Sequence, residues 1–153
     1  VEVRQNDLDF GSYHPEFGAM ALGARDFLLA YNVNLSSTNL AVAKEIAAAV
    51  REHPGGGLPG VRAIGWDTPE FGCSQVSCNI TDISQAALQD VYDAVDQLAR
   101  NYGLRARGSE LIGMPPLAAF HGFSSAEEGA HYLGLSSVVP FDVRDRVIEY
   151  RFA

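Results

Sequence analysis

Residues 26–35, DFLLAYNVNL, decide the fold. The first half is solidly apolar, as in a central strand buried on both faces. The second half, AYNVNL, alternates: Tyr31, Val33 and Leu35 fall on one side of the backbone, Asn32 and Asn34 on the other. This run is expected at the middle of a sheet, with one face against a core.

Working outward, SST at 36–38 reads as a helix start. Leu40, Ala43, Ile46, Ala47 and Val50 then recur at helical spacing until HPGGGLPG, residues 53–60, stops the helix. VRAIGWD at 61–67 is a second strand, and TPEFG is turn chemistry. QVSCNIT at 75–81 alternates as a third, with Val76, Cys78 and Ile80 on one side. Asp82 or Ser84 caps the helix predicted over 84–102, whose apolar stripe is Leu88, Val91, Tyr92, Val95, Leu98 and Ala99. Gly103 supplies a left-handed stop after it. LRARGSELIG at 104–113 is a fourth strand, with Gly108 marking a bulge or bend.

The order β-α-β-β-α-β predicts an α/β (α+β) domain built on the split ferredoxin-like unit. Its mixed, antiparallel-rich sheet carries the 26–35 strand at its centre and both long helices on one face. The other face is then available to another domain. After residue 113, PPLAAF and AEEGAHYL predict a short helical C-terminal extension, and VVPFDVRDRVIEYRF is expected to pack along the domain edge.

Residues 1–153 read as one domain, because 47% hydrophobic and 20% charged residues suffice for a single core. Eleven basic residues stand against 19 acidic ones, a formal net charge of −8, and Lys44 is the only lysine. Nucleic-acid binding wants a basic stripe, and none is present, although a local arginine pocket for an anion remains compatible with an acidic whole. No apolar run is long enough to span a membrane, and VEVRQNDLDF has no signal-peptide pattern, so the cytoplasm is the expected home. Cys73 and Cys78 are five apart, which points them to opposite faces of one strand and predicts two unpaired core thiols.

The candidate chemistry is sparse. HPGGGLPG lacks the lysine of a phosphate loop and follows a helix, so it reads as a connection. Glu128 and His131 have the i, i+3 spacing of a metal-binding helix, but no second copy exists, and no metal is expected. Ser109 and Glu110 lack a nucleophile elbow and an orienting third residue. His14 lies in GSYHPEFGA between Gly11 and Gly18, beside Tyr13, Phe17 and Glu16. Glycines admit a ligand close to the backbone and aromatic rings offer it a stacking surface. Spacing alone still favours a structural turn there.

Taken in order, DFG…HP…GA…GARDFLLAYNVNLSST, VRAIGW, QVSCNITD, LQDVYDAV, GSELIGMPPLAAF and LGLSSVVPFDVRDRVIEY resemble the C-terminal half of the glutamate formiminotransferase domain, nearly end to end. That resemblance implies transfer of a formimino group from N-formiminoglutamate to tetrahydrofolate, a co-substrate, in histidine breakdown. It also implies two subdomains of related design with the folate in a groove between them. The family's folate-binding segment corresponds to Gly11, Ser12, Tyr13, His14, Pro15, Glu16, Phe17 and Gly18, and this segment is a little shorter here. Residues 1–25 would then be a ligand-loop segment, 26–113 the core and 114–153 the extension.

The family's catalytic histidine lies in its N-terminal subdomain, within a His-Pro-Arg-Met-Gly-like motif that this sequence lacks. His14-Pro15 is followed by Glu-Phe-Gly, so no catalytic residue is assigned. The expected partners are folate, formiminoglutamate, and either an N-terminal subdomain or a second copy of the chain. The alternative is a non-catalytic binding or assembly module of the same fold.

Overall fold

The structure is a computed structural model that describes Leu8, Gly11, residues 14–20 and residues 22–153. Its sheet has four strands: β1 (Leu29–Leu35), β2 (Val61–Thr68), β3 (Cys73–Ile80) and β4 (Ala106–Ile112), in the order β2-β3-β1-β4. Helix α1 (Leu40–Val50) joins β1 to β2, and α2 (Leu88–Arg100) joins β3 to β4. This is the ferredoxin-like arrangement expected from the element order, with β1 at the centre. Every hydrogen-bonded pair is antiparallel. The parallel relations, β1 with β2 and β3 with β4, each have another strand between them.

Both helices cover one face. Leu29, Tyr31, Val33 and Leu35 of β1 meet Val76, Cys78 and Ile80 of β3 beneath Ala43, Ile46, Ala47 and Val50 of α1. Leu88, Val91, Val95 and Ala99 of α2 complete that core. Helix α1 lies so close to β2 that a Cβ on Gly65 would collide with the Lys44 backbone, whose Cα would be 2.7 Å away. Cys73 and Cys78 are both buried and unpaired, and burial pushes the Cys78 thiol up to about 12.

Several boundaries differ from those the sequence predicts, each for a local reason. β1 starts at Leu29, because Asp26 and Phe27 stay exposed. The cap of α1 is Asn39, whose Oδ1 accepts from Ala41 N at 3.0 Å; Ser37 instead supports the preceding turn by accepting from Asn39 N. α2 starts at Leu88 rather than 84. The Asp82 carboxylate is engaged by Ser84 N, Ser84 Oγ and the Gln85 side chain, which holds residues 82–85 in a separate turn. Asp90 then accepts from Ala87 N at 2.8 Å and closes the helix start.

Gly108 does form a bulge. Val33 pairs with Ser109 and Leu35 with Ala106, so Arg107 and Gly108 together face Asn34. Gly108 has φ +107°, and a Cβ there would lie 2.5 Å from Ser137 Cβ. The extension holds a short 3-10 turn, Leu117–Phe120, then α3 (Ala126–Tyr132), α4 (Val143–Arg146) and α5 (Ile148–Arg151). It runs along the β4 edge as expected: Ser109 N donates to Gly134 O, and the Arg146 guanidinium donates to the carbonyls of Leu111 and Gly113.

Candidate functional site

Residues 14–18 form a tight turn on the surface. His14 N donates to Gly18 O at 3.1 Å and Gly18 N returns to His14 O at 2.7 Å. His14 Nδ1 accepts from Glu16 N at 3.3 Å and from Phe17 N at 3.2 Å, so the imidazole closes the turn from inside. Its ring leans on Phe17 at a centroid distance of 4.7 Å. Gly18 takes φ +74°, a left-handed conformation that suits glycine. Gly11 is likewise left-handed, while Ser12 and Tyr13 lie outside the described residues. Pro15, Glu16 and Phe17 are exposed. The segment therefore presents a ring surface, and an imidazole whose Nδ1 is occupied as an acceptor.

The other sequence candidates are structural. HPGGGLPG is the loop between α1 and β2. Ser109 and Glu110 point to opposite faces of β4: Ser109 Oγ donates to Leu133 O at 2.7 Å, while Glu110 accepts from Asn32 at 3.4 Å on the open face. The Glu128 carboxylate accepts from Ser124 N at 2.8 Å and from Ser124 Oγ, and these bonds hold its carboxyl below the usual range. Among the described residues no group of three or more His, Cys, Asp or Glu side chains is placed to hold a metal ion.

The larger surface is the face of the sheet that the helices leave open. At one end a polar ladder crosses it: Gln75 Nε2 donates to Asn34 Oδ1 at 2.7 Å, and Asn34 Nδ2 donates to Ser137 Oγ at 3.3 Å. Thr68 Oγ1 donates to Cys73 O at 2.7 Å beside it. Asn34, Gln75 and Thr68 are buried. Beyond the ladder the face is uncovered: Ile64 and Ile112 are 55% and 53% exposed, and Trp66, directly opposite Gln75 on the next strand, is 54% exposed. Arg62, Ser77, Asn79 and Glu110 lie among them.

A family profile described as "Formiminotransferase domain" matches residues 30–127. The chain belongs to the formiminotransferase domain family. It is similar to the "Formimidoyltransferase-cyclodeaminase" of Rattus norvegicus, 39% identical over 165 residues that cover 93% of this chain and 30% of the relative. It is also similar to the "Glutamate formimidoyltransferase" of Thermoplasma acidophilum, 33% identical over 142 residues covering 92% of this chain and 45% of the relative. The protein of the same name from Streptococcus pyogenes serotype M1 is 34% identical, with the same coverage. The chain thus spans less than half the length of these relatives.

Within this formiminotransferase-family domain, sequence reasoning missed the β2 row Arg62, Ile64 and Trp66. Its signal was available: in VRAIGW the small or aliphatic Val61, Ala63 and Gly65 alternate with it, and small residues are what a closely packed helix requires. The asparagines of β1 were placed correctly on the face away from the core.

Proposed function

We propose that this chain forms the folate-binding wall of a cytoplasmic glutamate formiminotransferase, corresponding to the C-terminal subdomain of the family. The reaction moves a formimino group from N-formiminoglutamate to tetrahydrofolate, the co-substrate, in histidine breakdown. The observation that carries the reading is the uncovered sheet face, half polar and half apolar, on a family domain that spans 45% or less of its relatives. In this reading residues 1–25 carry the ligand loop, 26–113 the core and 114–153 the extension, and Gly11–Gly18 line the folate.

The chemistry needs a second body. A folate nitrogen attacks the amidine carbon, a tetrahedral intermediate forms, and the glutamate nitrogen departs with a proton. Proton movement between two nitrogens calls for a general acid–base group, and the two substrates must be held in register in a cleft. An N-terminal subdomain, or a second copy of the chain, would cover the open face. The family's catalytic histidine belongs to the motif missing here, and the geometry of His14, with Nδ1 tied to its own turn, supports leaving it without that role.

The test is an assay of the chain by itself with formiminoglutamate and tetrahydrofolate, then with a formiminotransferase N-terminal half added. The expected result is no enzyme-like turnover alone and recovery on addition. Robust turnover by the lone chain refutes the half-site reading.

A further inference from the structure

Strand β2 carries three exposed side chains in line on the open face, Arg62, Ile64 and Trp66. At about 3.3 Å per residue, the first and last Cα atoms stand roughly 13 Å apart. Their partners on β3 are Asn79, Ser77 and Gln75, each directly opposite. The row thus offers a cation, an aliphatic step and an indole; beside it Asn79 is exposed and Ser77 half-buried, while Gln75 is buried with its amide donated to Asn34.

The cationic end opens into a concavity of about 430 Å³ lined by Arg51, Glu52, Arg62, Ile64, Ser77 and Asn79. Arg62 Nη1 is 3.8 Å from Glu52 Oε2, too long for a hydrogen bond, so the guanidinium donors stay available. Two arginines against one glutamate leave this hollow positive in a chain of net charge −8. Local fields of this kind attract an anion that the whole molecule repels.

We propose that the Arg62–Ile64–Trp66 row is the track along which the folate lies, resting on the folate reading above. The pteridine lies against the Trp66 indole, the aminobenzoyl group crosses Ile64, and the glutamate carboxylates meet Arg62 and Arg51. The order follows from chemistry: a flat heterocycle stacks on an aromatic face, and carboxylates take guanidinium donors.

Trp66 is the only tryptophan in the chain, so its indole N–H gives one resonance in a 15N-labelled sample. The probes are 5-formyltetrahydrofolate and the primary amide of pteroic acid, which keeps the rings and has no carboxylate. Both are expected to move the indole resonance and the Ile64 amide. Arg62→Ala should weaken 5-formyltetrahydrofolate about fivefold, the scale of one exposed ion pair, and leave the amide unchanged. Equal effects on the two probes, or none, overturn the assignment of Arg62. Shifts at residues 14–18 with a still indole overturn the track and keep the folate reading. No shift anywhere at millimolar ligand overturns both.

Discussion

His14 and His53 perform the same task in two separate turns. Each is followed by proline, and each exchanges backbone hydrogen bonds with a glycine, Gly18 for His14 and Gly56 for His53. Each also turns its Nδ1 inward to accept backbone N–H groups, Glu16 and Phe17 in one case and Gly55 in the other. The imidazole nitrogen here stands in for the side-chain oxygen of asparagine in an Asx-turn. His14→Asn is therefore expected to keep the turn, whereas His14→Ala removes the acceptor and should speed amide exchange at Glu16 and Phe17. In an enzyme completed by its N-terminal half, His14→Asn should hold turnover within about threefold, because loss of a general acid or base costs roughly 100-fold or more. A loss on that larger scale would make His14 a participant in proton transfer.

At the scale of elements, the joint between α2 and β4 depends on one carboxylate. Asp96 is 8% exposed; burial raises its pKa, but hydrogen bonds from Arg105, Arg100 and Ala106 N outweigh this and hold it at about 2. The folded pKa lies below the unfolded one, so the stabilisation is complete above about pH 4 and disappears as pH falls towards 2. Because both arginines are largely exposed, its size is about 1–2 kcal/mol rather than the full value of the shift. Urea unfolding of Asp96→Asn should show that loss at pH 7 and little difference from the parent near pH 2. This joint was not legible in the sequence, since nothing in DAVDQLARNYGLRA says which aspartate turns inward. The strand order and the faces of β1 were legible, because alternation fixes a face whatever the partner. The start of α2 was misplaced because Asp82 and Ser84 satisfy each other as well as they would cap a helix. The β2 row was overlooked because an exposed Trp and Ile have the composition of a core, although the small Ala63 and Gly65 that alternate with them mark the side packed under α1.

For the whole molecule, the extension is part of the core rather than an appendage. The family match ends at residue 127, yet Leu133, Leu135, Val143 and Val147 beyond it are all buried in the same cluster. A chain ended at 127 would lose these side chains and bare the β4 edge. It should unfold below the parent's melting temperature or fail to fold, while a chain ended after Phe152 should melt with the parent. An unchanged melting temperature for the shorter chain would show that the extension packs without supporting the core. The same edge has a further consequence. With Ser109 N bonded to Gly134 and the carbonyls of Leu111 and Gly113 bonded to Arg146, β4 has little left to offer a foreign strand. Among the described residues, the backbone of β2 beyond Val61, whose carbonyl accepts from Glu52 N, is then the remaining open border of the sheet. A body with one sticky border can close with its twin about a two-fold axis but has no second border from which to grow. Stacking edge to edge therefore stops at a pair, and the sheet is built against becoming a fibre.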